Sequence, residues 1–353
     1  MTARLLLYGA TGYTGQLIAR AAKTAALPLI LAGRNHDKLQ SVAATLGFPY
    51  RTAPLEDELR LRSMLQNVNV VINAAGPFSE TAQPLVDACL QRGVHYLDVT
   101  GEISVFAALF QRGDAARHRQ VMLMPGVGHV IVPSDCLAAH VGRRLPGACH
   151  LRLAISQPDF ISRGSLRTML TLLSEHIQVR RQGRLTTVPI GSLRRDFDFG
   201  RGPSACTAVS WPDVFTAFHS TGIPNITAYS EATALEQWAY TVGGRLAPFI
   251  RGASWKELWQ AQSAFLPDGP LEKTRCGSVR TIVAEVEDRQ GRRTGARLHT
   301  PDGYTFTGTT VLAVVTRVLA GEVESGFHTP GQLFGADFVL ALDGVTREDL
   351  PDG

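Results

Sequence analysis

The sequence predicts an α/β protein: a parallel sheet flanked by helices, followed by a second domain of mixed α+β character. From the start to about residue 124, short apolar runs alternate with amphipathic stretches, at 4–8, 16–24, 28–32, 36–46, 68–74, 81–92, 96–99, 103–119 and 121–124. Strand–helix alternation of this kind builds βαβ units. Runs that are apolar throughout, such as Val70-Val71-Ile72, belong in the middle of a sheet covered on both faces. After Pro133-Ser134-Asp135 the chain turns to Gly- and Pro-punctuated segments suited to strands.

The second domain opens with an expected strand at 151–155. It continues to a hairpin-like pair, 278–287 with 296–300, around Gln290-Gly291. Between these, 232–264 holds three of the four tryptophans (Trp238, Trp255, Trp259) in a helix-compatible stretch broken at Gly243-Gly244. The tail reads as a helix over 309–320 ended by Gly326-Phe327-His328-Thr329-Pro330-Gly331. The expected division is a first domain over 1–130, completed by 309–353, and a second over 131–308 serving substrate binding and dimerisation.

Composition narrows the function classes. With 353 residues, 44% hydrophobic and 19% charged, the chain is long enough for two cores. A net charge of +4 with no run of Lys or Arg leaves no footprint for nucleic acid. Five scattered cysteines (Cys89, Cys136, Cys149, Cys206, Cys276) lack zinc spacing, and no His-x-x-x-His or clustered acidic motif suggests a metal. The apolar start runs straight into a Gly-rich turn and reads as a buried strand, not a secretory signal. No uncharged run reaches the roughly 18 residues of a membrane span. A cytoplasmic protein is the expectation, with peripheral membrane contact and a homodimer left open.

Gly9-Ala10-Thr11-Gly12-Tyr13-Thr14-Gly15 follows the first expected strand and opens the first helix, the context of a dinucleotide fingerprint. Glycine is needed there because backbone amides must approach a pyrophosphate at a helix N-terminus. The second strand ends Ala32-Gly33-Arg34-Asn35. Arg34 therefore stands where an NAD enzyme keeps an acid for the ribose hydroxyls, and a guanidinium fork suits a 2′-phosphate. Asn73-Ala74-Ala75-Gly76-Pro77-Phe78 supplies a small-residue strand end for the nicotinamide half. These strand ends specify a Rossmann-like domain with NADP(H) as cofactor, its candidate contacts being Gly9 to Gly15, Arg34, Asn35 and Ala74 to Phe78.

The chain resembles the saccharopine dehydrogenase-like oxidoreductases, in particular the branch that includes the trans-acting enoyl reductases. The resemblance rests on those motifs together with His95-Tyr96-Leu97-Asp98-Val99-Thr100-Gly101-Glu102, Pro125-Gly126-Val127-Gly128, Pro133-Ser134-Asp135, Ser220-Thr221-Gly222-Ile223-Pro224-Asn225 and the tail 326–330. It implies an NADP domain completed by the C-terminal segment and a second domain forming the substrate cleft. Where the branch reads Gly-Phe-Asp-Val-Val-Pro-Ser-Asp, this chain has Gly128-His129-Val130-Ile131-Val132-Pro133-Ser134-Asp135. An acidic position is thus Val130 here, so the chain lacks that aspartate.

Hydride transfer asks the protein mainly to position the acceptor carbon and manage one proton. The Tyr-x-x-x-Lys pair of short-chain dehydrogenases is absent. Asp98 and Glu102 flank a strand end on the Gly-turn side, for contact with cofactor or substrate or for local capping. His129 follows a Gly-x-Gly at the domain junction, as a proton donor or a structural histidine. Ser220, Thr221 and Asn225, in a polar loop ahead of Ile226-Tyr229, can hold a carbonyl or carboxylate, or simply form the turn. The Trp-containing segment can line an apolar path, fill a core or form a dimer interface. The expected function is NADPH-dependent reduction of an activated double bond, the resemblance favouring the enoyl of a polyketide- or lipid-like substrate, free or carrier-bound. The alternatives are a saccharopine-type imine reductase, for which Arg163, Arg167, Arg180, Arg181, Arg194 and Arg195 can hold carboxylates, and a non-catalytic NADP(H)-binding regulator.

Overall fold

The computed structural model describes residues 4–156, 176–232 and 279–353. In chain order it runs β1 (Leu5–Tyr8), α1 (Tyr13–Thr24), β2 (Leu29–Gly33), α2 (His36–Leu46), β3 (Tyr50–Thr52), α3 (Glu58–Met64), β4 (Val70–Asn73), α4 (Phe78–Arg92), β5 (His95–Asp98), α5 (Ile103–Gln111), α6 (Gly113–His118) and β6 (Met122–Met124). Next come α7 (Val132–Arg144), β7 (His150–Ile155), β8 (His176–Arg181), β9 (Arg184–Pro189), β10 (Arg194–Asp198), β11 (Pro203–Ala208), α8 (Asp213–Thr221), β12 (Asn225–Glu231), β13 (Val279–Glu287) and β14 (Arg293–Pro301). The chain ends with α9 (Gly303–Leu319), β15 (Gly326–Phe327), α10 (Pro330–Phe334), a 3₁₀ turn (Phe338–Ala341) and β16 (Thr346–Leu350).

Two compact units result: Met1–Val132 with Gly303–Leu342, and Pro133–Asp302 with Asp343–Gly353. The sequence places the return at 309 and carries the tail to 353 in the first domain. The observed return begins six residues earlier, because Gly303 already starts α9, and the last residues leave again because β16 pairs with β14.

The first unit is a seven-stranded, wholly parallel sheet in the order β15-β6-β5-β4-β1-β2-β3. This is the Rossmann-like sheet of the α/β expectation. β1 and β4 are buried along their whole length, as all-apolar central strands must be when helices cover both faces. In α1, Gly15, Ile18, Ala19 and Ala22 are buried, the spacing of a single helical stripe. α9 packs against α1 closely enough that a Cβ at Gly308 would lie 3.3 Å from Ala21 Cβ. The strand order reverses between β1 and β4, and in open α/β sheets that switch point, at the carboxyl ends of the strands, is where ligands bind.

The second unit is a mixed sheet, β10-β11-β12-β7-β13-β14-β16, with β8 paired to β12 and β9. β7 and β12 run parallel, and the expected hairpin is β13–β14, turning at Gly291 with φ +82°. One cluster of its core joins Ala154, Val179, Phe197, Phe199, Tyr229 and Val283. Among the described residues, no helix is long and apolar enough to cross a membrane.

Candidate functional site

The Gly turn is shaped by its own backbone. The amides of Gly9 and Ala10 donate to the Ala32 carbonyl (2.9 and 3.2 Å), and the Gly12 amide donates to Gly9 O (3.0 Å). Gly9 has φ +85°, and a Cβ there would lie 2.7 Å from Ala75 N; one at Gly15 would lie 2.2 Å from Gly9 O. These two glycines are demanded by packing, and Gly9 brings the loop after β4 against the loop after β1. Gly12 differs, since a Cβ on it would meet only Gly9 O, at 3.4 Å. Its bare face is a cradle that a side chain would fill. Gly12 caps α1 without a side-chain hydrogen bond, and the first turn has no acidic residue, so the helix dipole remains available to an anion.

Arg34 is exposed just past β2 and forms no ion pair among the described residues. It lies within electrostatic reach of the Tyr8 phenol, which burial and the Glu56 charge push up to about 12 against the pull of Arg34. Asn35 acts locally: its Oδ1 accepts the Lys38 amide at 3.0 Å and caps α2.

The ends of β4, β5 and β6 are tied by a buried network. Asn73 donates to Thr81 Oγ1 (3.0 Å) and Tyr96 Oη (3.1 Å) and accepts the Ala75 amide (3.0 Å). Tyr96 donates to Asp98 Oδ2 (3.0 Å), and Asp98 Oδ1 accepts the amides of Thr100 (3.0 Å) and Gly126 (2.9 Å). Burial pushes the Asp98 carboxyl up to about 7 even against these three donors. Asp98 is 0% exposed, so the structure corrects its candidacy as a contact residue: it fixes the loops that frame the site. Glu102 is half-buried and is engaged locally. Its two carboxylate oxygens accept the amides of Phe78 (2.8 Å) and Ser79 (2.9 Å). An internal anion therefore occupies the N-terminus of α4, and Ala74 to Phe78 are held from below by Asn73 and from the side by Glu102.

His129 lies beyond β6, half-buried. Its Nδ1 is 2.8 Å from Thr307 Oγ1 on α9, whose hydroxyl also bonds to Gly303 O at 2.8 Å. The Tyr304 ring lies 6.3 Å from the imidazole, and Tyr13 of the Gly turn meets Tyr304 edge-on at 5.5 Å. Tyr13, Tyr304, Thr307 and His129 are thus brought together, although Tyr304 and Thr307 carry no recognisable motif.

Ser220, Asn225 and Tyr229 of the second unit do not converge on one point. Ser220 Oγ donates to the fully buried Asp135 (2.5 Å). Asn225 is spent on backbone, donating to Cys149 O (2.8 Å) and accepting the Gln182 amide (2.9 Å). The Tyr229 ring packs on Phe197 in the core, and burial raises its phenol pKa. Of the candidate arginines, Arg180 is buried, bonded to Val214 O and Gly183 O, with its guanidinium over the Phe218 ring, and Arg195 pairs with Glu285. Arg163, Arg167 and the segment with Trp238, Trp255 and Trp259 lie outside the described residues. Among the described residues, no group of three His, Cys, Asp or Glu can hold a metal.

Residues 5–124 match the saccharopine dehydrogenase NADP binding domain. The match lies within the first unit and spans its strands from β1 to β6. The protein is an oxidoreductase, its cofactor is NADP(H), and the bare Gly12 face at an uncapped helix start fits a pyrophosphate. The chain is 27% identical to a trans-acting enoyl reductase of Mycobacterium leprae, over 96% of this chain and 89% of that one. It is 25% identical, with the same coverage, to a trans-acting enoyl reductase of Mycobacterium tuberculosis. In fold it resembles apo saccharopine dehydrogenase (L-Glu forming) from Saccharomyces cerevisiae, with a TM-score of 0.66 at 11% identity over 99% of this chain and all of that one.

Proposed function

We propose that the protein is an NADPH-dependent reductase of an activated carbon–carbon double bond, acting on the enoyl group of a polyketide- or lipid-like substrate, free or carrier-bound. The observation that carries this reading is the similarity, over nearly the whole chain, to proteins named trans-acting enoyl reductase. NADPH, when bound, supplies the hydride. In this reading Gly12, Tyr13 and Thr14 present the start of α1 to the pyrophosphate, Arg34 holds the 2′-phosphate, and Ala74 to Phe78 border the nicotinamide. His129 supplies the proton that completes the saturated product and regains one from solvent; Val130 beside it offers no acid. The imine-reducing alternative needs cations for carboxylates, and Arg180 and Arg195 are already engaged.

The test is NADPH consumption with a trans-2-enoyl thioester, compared with a 2-oxo acid plus an amino acid. Saturated thioester is the expected product. Consumption only with the second mixture would replace the reading with imine reduction, and NADPH binding without consumption by either would point to a regulator.

Cofactor choice gives a separate prediction. A hydrogen bond to a charged group is worth roughly 1.5–3 kcal/mol, on the order of 10–100-fold in affinity. Arg34→Ala is therefore expected to weaken NADPH by that factor and NADH far less, measured by fluorescence titration. Equal losses for both would show that Arg34 does not read the 2′-phosphate.

A further inference from the structure

We propose that the first turn of α9 is a mould that sets the tautomer and orientation of His129: Thr307 holds the proton on Nδ1, and Gly303 leaves the space in which the Nε2 edge rests. The value of this for turnover rests on the proposed role of His129 as proton donor; the tautomer itself does not.

A hydroxyl has one proton to give and two lone pairs. Thr307 gives its proton to the Gly303 carbonyl, four residues back in the same helix, at 2.8 Å. What it presents to His129 is therefore lone-pair density. The His129 amide approaches that oxygen at 3.4 Å and Nδ1 at 2.8 Å, so Nδ1 must carry a hydrogen for the short contact to be a bond. The partner of one ring nitrogen decides which nitrogen is protonated, and here it leaves Nε2 as the atom that gains and loses the proton. In the opposite tautomer two lone pairs would face each other at 2.8 Å, or Thr307 would have to abandon Gly303.

Gly303 completes the mould from the same helix face, since positions four apart stack on one side. A Cβ there would lie 2.4 Å from Nε2, 2.5 Å from Cδ2 and 3.0 Å from Cε1 of His129. Any side chain at 303 must push the ring away, and the ring can move only by leaving Thr307. Glycine is required by the imidazole it faces, not by its own backbone torsion. Thr307 and Gly303 are thus positioning residues.

The test uses the protein labelled with ¹⁵N-histidine, with and without NADPH. Long-range ¹H–¹⁵N correlations report the protonated nitrogen of His129, whose signals are assigned by their loss in His129→Asn. The expected wild-type signature is protonated Nδ1 and bare Nε2 in the neutral ring, retained in Thr307→Ser. In Thr307→Val and in Gly303→Ala the protonated-Nδ1 signature is expected to be lost, with kcat on the enoyl thioester falling about 10²-fold, the scale of a misplaced group, and KM for NADPH unchanged. A wild-type ring protonated at Nε2, or Thr307→Val and Gly303→Ala proteins with the wild-type signature, would overturn the proposal. A signature that shifts with kcat intact would uphold the mould and remove His129 from the proton step.

Discussion

Alanine at position 129 is expected to lower turnover by about 10²–10⁴-fold, the usual contribution of a positioned general acid, while NADPH affinity stays nearly unchanged. The separation follows from geometry. His129 lies beyond β6 and touches the first turn of α9, whereas the Gly cradle is built from the loops after β1 and β4 and is stiffened by Gly9, Gly15 and Asn73. Removing the imidazole leaves those contacts in place. Steady-state kinetics with an enoyl thioester, paired with fluorescence titration of NADPH, would read both quantities. Intact turnover in His129→Ala would transfer the proton to water or to another side chain. If in addition Val130→Asp raised activity strongly, the natural chain would be a reductase that had lost its acid and kept its cofactor site.

What the sequence reveals of this site is what is local. The Gly turn, Arg34 and the Ala74 to Phe78 loop each lie within a few residues of a strand whose apolar run is unmistakable, and β1 and β4 are fully buried as such runs require. Short or half-exposed elements escape: β3 is three partly buried residues, α3 is seven residues long, and the run over 103–119 hides a break at Arg112 between α5 and α6. α9 begins six residues before the expected helix because Gly303 and Gly308 argue against helix locally, while packing of Gly308 on Ala21 favours it.

The roles that sequence reading leaves open are those settled by distant partners. Asp98 and Glu102 stand at the correct strand end, but their ligands are backbone amides 28 residues away at Gly126 and 24 away at Phe78. Carboxylates beside a cofactor motif suggest chemistry, and these two serve as struts. Thr307 is 178 residues from His129, and nothing in its own neighbourhood signals a histidine partner. In the second unit, Asn225 and Tyr229 are four residues apart in one strand, about 13 Å by the rise of an extended chain, which alone keeps them from acting on one small group.

The second large effect is expected in stability. Asp213 opens α8 at 0% exposure, and neither of its carboxyl oxygens makes a well-formed hydrogen bond; the Ser134 hydroxyl and its own amide lie alongside. A first-turn acid is favoured by the helix dipole, but burial and the nearby Asp135 charge win and push its pKa from 3.8 up to about 8. The folded state therefore keeps a proton that the unfolded chain has released. This group's contribution to stability is greatest below about pH 4, declines as pH rises, and is fully unfavourable above about pH 8. With each pKa unit worth 1.36 kcal/mol, the cost at alkaline pH is bounded on the order of 5 kcal/mol. Asp213→Asn keeps the shape without the charge and offers an amide to Asp135. Thermal midpoints of the two proteins are expected to lie closest at about pH 4 and to diverge increasingly in favour of the variant up to about pH 9. Midpoints that stay parallel across that range would mean that Asp213 is solvated or paired in solution and titrates as an ordinary carboxylate.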